Sequence, residues 1–306
     1  MARKKKTAIR TNEGRLIEQS VLGEVSAPVR RGTWRVGPDG TPAILPGVGG
    51  ITYNCKVGDS ALDWEADHVE PGVSVKTDDA SKNAALNTLA CIGNMARVVS
   101  GDAKGADGVV TGKHGGIEHV LVDFPDAALE KLAIGDKVQL RACGLGLRMA
   151  GMPQIALMNM SPALLRAMAP ERDGDRLLVR VTHRVPAAIM GSGLGHDNTF
   201  SGDYDIQLFD DDTVAQYGLD TLRLGDVVAV EDADHTFGRS YRSGAVSVGV
   251  VVHTCCTGAG HGPGLTSLMS SRLGKIVPVL DEAANIAVCL RIGRMRPPAE
   301  QDASPE

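Results

Sequence analysis

Apolar and polar residues alternate with a period of two along much of the chain, the pattern of strands with one face buried. Residues 137–142 (KVQLRA) alternate strictly after the turn Ile134-Gly135-Asp136, and residues 224–230 (LGDVVAV) repeat the plan of a Gly-Asp turn entering a Val-rich strand. Further strands are predicted at residues 116–124 (GIEHVLVDF), 176–182 (RLLVRVT), 204–209 and 244–253 (GAVSVGVVVH), most of them rich in β-branched side chains. Helices are few and short. Residues 79–92 have Asp79 as a cap and Gly93 as a stop, residues 161–168 open on Ser161-Pro162, and residues 265–273 place Leu265, Leu268, Met269 and Leu273 on one apolar stripe.

The expected fold class is therefore mainly β, with layered β-sandwich or barrel-like units and a few short helices. Helical bundles and Rossmann folds are disfavoured. The Pro/Gly/Asp-containing segment 169–175 (APERDGD) marks a joint. It divides the chain into a basic N-terminal arm (1–22), a first β-rich unit (23–170), a second β-rich unit carrying the candidate site (171–295), and a disordered tail (296–306).

Composition narrows the function classes. A chain of 306 residues with 43% apolar but only 3% aromatic side chains builds its core from Val, Leu, Ile, Ala and Met. No apolar run reaches the roughly 18 residues that cross a bilayer, and the basic start Arg3-Lys4-Lys5-Lys6 lacks the apolar segment of a signal peptide. A cytoplasmic location is expected, with no membrane partner. Six cysteines without CxxC spacing are read as reduced thiols. A net charge of -5 argues against nucleic acid, whose phosphates require a basic face.

Candidate chemistry concentrates between His196 and Gly264. The stretch holds His196-Asp197, Gly202-Asp203-Tyr204-Asp205, Asp232-Ala233-Asp234-His235, Arg239, Arg242, His253 and His261. Imidazoles and carboxylates are the ligands of divalent transition metals, which lower the pKa of bound water. A divalent metal is thus the expected cofactor, with Asp234, His235 and His253 as ligands and Asp232 beside them. No HExxH or CxxC spacing is present, so separate loops must assemble any such site. On a regular strand Asp232 and Asp234 share one face and His235 the other. A solvated acidic strand end is the competing reading.

Next, Gly258-Ala259-Gly260-His261-Gly262-Pro263-Gly264 precedes the helix expected at 265. Its exposed N–H groups suit a phosphate or carboxylate, with Gly260, His261, Gly262 and Gly264 as binding residues. Arg239 and Arg242 are expected to fix a substrate carboxylate. Adjacent Cys255 and Cys256 point in different directions, so the pair is not expected to serve one site. A second constellation, residues 109–119 (VVTGKHGGIEH), puts Lys113 and His114 on a glycine-rich turn, where they can bind an anion or move protons.

The runs CIGN (91–94), TGKHGGIEHVLVDF (111–124), MGSGLG (190–195), GDYDIQ (202–207), DADH (232–235), Gly238-Arg239 and GHGPG (260–264) resemble an uncharacterised bacterial and archaeal family, domain of unknown function four-four-three-eight. The resemblance covers residues 23–293. It implies a mainly β, layered architecture and self-association, and brings no catalytic assignment.

Two function classes stand at this point. One is an enzyme acting on a small polar or anionic molecule by metal-assisted hydrolysis of an amide- or ester-like bond, with Lys113 and His114 completing a pocket shared by the two β units. The other is a non-catalytic small-molecule-binding or assembly protein in which the same residues support turns and subunit contacts. Convergence of both constellations on one point separates them.

Overall fold

The computed structural model describes residues 9–29, 34–37, 39–191 and 198–297. The expected His196-Asp197 pair, the basic cluster Arg3 to Lys6 and nearly all of the tail lie outside these residues.

Six strands close on themselves in the first half: β1 (Gln19–Val25), β2 (Gly72–Lys76), β3 (Met95–Val98), β4 (Asp107–His114), β5 (His119–Asp123) and β6 (Lys137–Ala142). The order around the barrel is β1-β6-β3-β4-β5-β2, and β2 returns to β1 through Glu24↔Lys76 and Val25↔Val75. Every neighbouring pair is antiparallel. Closure removes the exposed strand edges of an open sheet. The interior is small and aliphatic: Val73, Val75, Val98, Val110, Val120, Val122, Val138 and Leu140 are fully buried, with Phe124 at one end.

The second half is built on an open sheet. It contains β8 (His183–Pro186), the two-residue β9 (Tyr204–Asp205), β10 (Val227–Asp234), β11 (Ser240–Val251) and β12 (Gly264–Ser271). Strands β10, β11 and β12 are successive antiparallel neighbours, β8 runs parallel to β10, and β9 adds to β12. Beside this sheet, β7 (Arg176–Val181) pairs in parallel with β13 (Ile276–Leu280). A hydrophobic cluster including Ile92, Leu121, Met160, Leu164, Val250, Val252 and Leu268 joins the halves.

The two sheets approach most closely at Gly112. A Cβ there would collide with Val252, so only glycine lets the second sheet lie against β4 at this point. Just beyond the contact, the Lys113 N–H donates to Thr266 Oγ1 (3.2 Å), and the Thr266 hydroxyl donates to the Lys113 carbonyl (3.0 Å). This seam brings His114, two residues after Gly112, beside His253, one residue after Val252.

Two predicted helices form with their predicted caps. Asp79 accepts from the Lys82 N–H at the start of Ala80–Leu89, and Ser161 accepts from the Leu164 N–H at the start of Pro162–Met168. The third does not form: residues 265–273 lie largely in β12, every residue of which is buried. A β-bulge explains the misleading period. Val248 opposes Met269 while Gly249 opposes Ser267, leaving Leu268 as the extra residue and shifting the phase of the apolar positions. The strand expected at 204–209 shrinks to Tyr204–Asp205, and the one at 244–253 is displaced to Ser240–Val251. No helix among the described residues is long and apolar enough to cross a membrane.

Candidate metal centre

Four histidines gather at the seam. The ring centroids of His114 and His253 are 4.3 Å apart, those of His68 and His253 5.0 Å, and those of His68 and His261 5.2 Å. Asp203 and Asp205 complete the group from β9 and the residue chain just before it. Ligand atoms of His114, Asp203 and His253 lie within 4.8 Å of one another, as do those of His68, Asp205 and His253, and those of His68, Cys256 and His261.

Local structure explains how each arrives. His114 ends β4 and His119 begins β5, opposite each other in the ladder. Glu70, fully buried, accepts from Nδ1 of both rings, at 2.6 Å from His114 and 2.9 Å from His119. It also accepts from the Gly49 N–H (2.9 Å) and the Ser74 hydroxyl. Burial alone would raise the Glu70 pKa, but the His119 and His114 rings hold it well below the carboxylate range.

The Thr254 N–H donates to the Val69 carbonyl and the Val69 N–H to the Thr254 hydroxyl, stitching residues 68–70 to the segment after His253, and the His68 N–H reaches the Cys255 carbonyl. His68 itself has φ +60°, a sparsely populated conformation for a residue with a side chain. Its Nδ1 donates to Asp67 (2.9 Å), which is also paired with Arg35 (2.8 Å). Burial works to lower the His68 pKa, but the Asp205 and Asp67 carboxylates override it and push it up to about 12.

His253 Nδ1 lies 2.9 Å from the Thr254 carbonyl, which can only accept, so that nitrogen carries a proton. Its Nε2 is 2.9 Å from Asp203 Oδ2 and 3.7 Å from Asp205 Oδ1. The other oxygen of Asp203 accepts from the Gly115 N–H (2.7 Å), tying β4 to the second half. Because Asp203 and Asp205 are two apart on an extended segment, both face the histidines while Tyr204 packs on the far side. Gly264 borders the same space: a Cβ there would fall on Asp203 Oδ2 and His253 Nε2.

Of the residues expected from the sequence, His253, His114, His261 and Gly264 meet here. The others are elsewhere. Lys113 projects from β4 on the face opposite His114, fully buried, donating to the Asn159 side chain (2.8 Å) and the Phe200 carbonyl (2.6 Å). Burial lowers its pKa to about 8. It anchors the approach to Asp203.

Asp232 sits in a β-bulge with φ +58°, accepting from the Gly244 N–H, so the expected shared face with Asp234 is broken. Asp234 accepts from Thr236 and Ser270 and pairs with Arg272 at 3.0 Å. His235 is buried against Tyr204, its Nδ1 2.8 Å from the Ser267 hydroxyl.

Arg239 donates to the Gly191 carbonyl and Arg242 to the Arg272 carbonyl. Gly260 is open and Gly262 is closed against the Ile206 carbonyl. The anion site expected from a helix N-terminus after this loop has no helix to supply the dipole, since the loop enters a strand.

The cluster members that the sequence reading did not single out are His68 and Glu70, and Asp203, Asp205 and Cys256 were not named there as candidate ligands. The signal for His68 is the run Glu65-Ala66-Asp67-His68-Val69-Glu70, dense in the same residue types as DADH.

Sequence profiles of a domain of unknown function, DUF4438, match this chain in two parts, its N-terminal domain over residues 34–166 and its C-terminal domain over 167–290. The crystal structure of TM1086 is similar, with a TM-score of 0.87 and 46% identity over 91% of this chain and 98% of that one. No curated protein matches the chain.

Proposed function

We propose that this chain, a member of the DUF4438 family of unknown function, is a metal-dependent enzyme whose divalent ion sits among His114, His253 and Asp203, with Asp205 and His68 alongside. The reaction is hydrolysis of an amide- or ester-like bond in a small polar or anionic molecule.

One observation carries this reading. His68, His114 and His253 each commit Nδ1 to an oxygen acceptor, Asp67, Glu70 and the Thr254 carbonyl respectively, so that Nε2 is the ring atom left for the shared space, where an ion would take the place of the proton that His253 Nε2 now gives to Asp203. Fixing the tautomer and aim of an imidazole by such a bond is the arrangement that supports metal-ligating histidines. The charge balance points the same way. Asp67, Glu70, Asp203 and Asp205 are all at least nine-tenths buried, and Arg35 pairs with one of them. A divalent cation offsets part of that negative charge.

An ion held by these residues would supply Lewis acidity and lower the pKa of a bound water toward neutrality. His261, at the half-exposed rim, pairs with Asp205 at 2.7 Å and faces the side from which substrate would enter. Arg239, bonded to the Gly191 carbonyl beside β9, brings positive charge to that flank for an anionic substrate. A reducing cytoplasm suits the six free cysteines. Exposed Phe237 and Tyr241 offer a surface for self-association.

The test is elemental analysis of protein purified without added metal, alongside His253→Ala and Asp203→Asn variants, followed by hydrolysis assays on small amides, esters and lactones bearing a carboxylate. The parent should carry stoichiometric transition metal and the variants should lose it together with any hydrolysis. Full metal occupancy in His253→Ala, or a parent that takes up none, sinks the proposal.

A further inference from the structure

The converging ligands are too many for one ion, and they fall into two sets. The inner set, His114, Asp203 and His253, is buried at the seam. An outer set, His68, Cys256 and His261, lies between it and the rim. Asp205 stands between the sets, with Oδ1 3.7 Å from His253 Nε2, and Oδ2 2.7 Å from His261 Nδ1 and 3.8 Å from His68 Nε2.

We infer that the outer set holds a second divalent ion, a thiophilic one such as zinc, and that Asp205 bridges the two ions. The inference rests on the inner metal site proposed above and adds to it a dinuclear centre with one sulfur ligand.

The geometry of the outer set fits a tetrahedral ion. His68 Nε2 and His261 Nδ1 are 3.4 Å apart, which is long for a hydrogen bond. Two nitrogens at zinc-ligand distance from one tetrahedral ion are roughly 3.3 Å apart. Cys256 is buried, and its Sγ accepts from the Gly258 N–H at 3.1 Å, a bond that stabilises a thiolate. A thiolate with two imidazoles selects zinc, cobalt or copper over magnesium and calcium.

The neighbouring thiol is built differently. Cys255 Sγ turns to the Cys256 carbonyl instead, away from His68 and His261, so only one sulfur of the vicinal pair serves the site. A carboxylate bridging two ions is the arrangement by which dinuclear hydrolases clamp both the attacking and the leaving oxygen. The more exposed outer ion would meet substrate first.

Cobalt(II) titration of the chelator-stripped full-length protein tests this. The expected result is saturation at two equivalents. The first brings visible ligand-field bands, and the second adds a thiolate-to-cobalt charge-transfer band in the near ultraviolet. Cys256→Ser should lose that band and retain one equivalent, while Cys255→Ser should keep both.

Saturation of the parent at one equivalent without a thiolate band overturns the second site and leaves the inner one standing. Persistence of the band in Cys256→Ser overturns the assignment of the sulfur. Uptake of no cobalt overturns both this inference and the proposed function.

Discussion

Two nearly identical tetrapeptides, Glu65-Ala66-Asp67-His68 and Asp232-Ala233-Asp234-His235, meet opposite fates in this fold. In the first, His68 takes a positive φ that turns its ring toward His253 and His261, and Asp67 holds its Nδ1. In the second, Asp234 is spent on Thr236, Ser270 and Arg272, and its neighbour His235 lies buried against the Tyr204 ring, tilted by 37°, with its Nδ1 on the Ser267 hydroxyl. The electrostatics diverge accordingly. Carboxylates push the His68 pKa up to about 12 against the effect of burial, whereas burial pulls His235 down to about 4. An imidazole's chemistry is set by the acceptors folded around it, and four letters of sequence carry none of that.

The comparison can be broken most sharply at the space His68 faces. Gly264→Ala places a methyl group on Asp203 and His253, and should abolish stoichiometric metal binding, whereas Gly14→Ala, in open space and far from the histidines in sequence, should leave metal content unchanged; elemental analysis distinguishes them. Equal metal in both would mean that the space beside Gly264 is not the site.

The next effect belongs to His235 and is one of stability. Its folded pKa of about 4 lies below the unfolded value of 6.5, so the unfolded chain binds more protons between them. The associated stability is complete above pH 6.5 and is lost as pH falls toward 4, by about 3 kcal/mol at most. His235→Gln should remove that slope. Urea unfolding of the metal-stripped protein and the variant across pH 4–7 measures it, and parallel curves would refute the assignment.

A smaller effect separates the two aspartates. Asp67→Asn weakens the support of a ligand and should reduce metal affinity roughly 10- to 100-fold. Asp234→Asn should leave affinity within about twofold and act only on stability, by about 1–2 kcal/mol through its buried hydrogen bonds. Competitive chelator titration reads both, and a larger affinity loss in Asp234→Asn reverses the comparison. Smallest of all, Asp232→Gly suits the positive φ but gives up the bond to Gly244, so its unfolding midpoint should move by no more than about 0.5 kcal/mol equivalent.

Much of the architecture was legible because it depends on local rules. Period-two alternation locates β6 and β7, and the caps Asp79 and Ser161 locate two helices. Where a rule failed, a bulge intervened. Leu268 imposed a helix-like period on β12, and Asp232 broke the alternation that would have put two carboxylates together. The cluster was legible in part: His253 at a strand end and His114 on a glycine-rich turn were read as sharing one pocket, and their rings do meet. Glu70 and His68 were not, because the histidines they meet, His114 for Glu70 and His261 for His68, lie 44 and 193 residues away and share no sequence pattern with them.

By itself the sequence determined that this chain is β-rich, that its core is aliphatic, and where its polar chemistry is densest, because hydrophobic period and residue type act over a few positions. The tertiary structure alone decided which of two matching Asp-His pairs faces the other histidines. That choice follows from barrel closure and from the glycine at position 112, which lets Val252 approach and draws His253 to His114. Contacts between sheets are set by shape across the seam, and no local pattern records them.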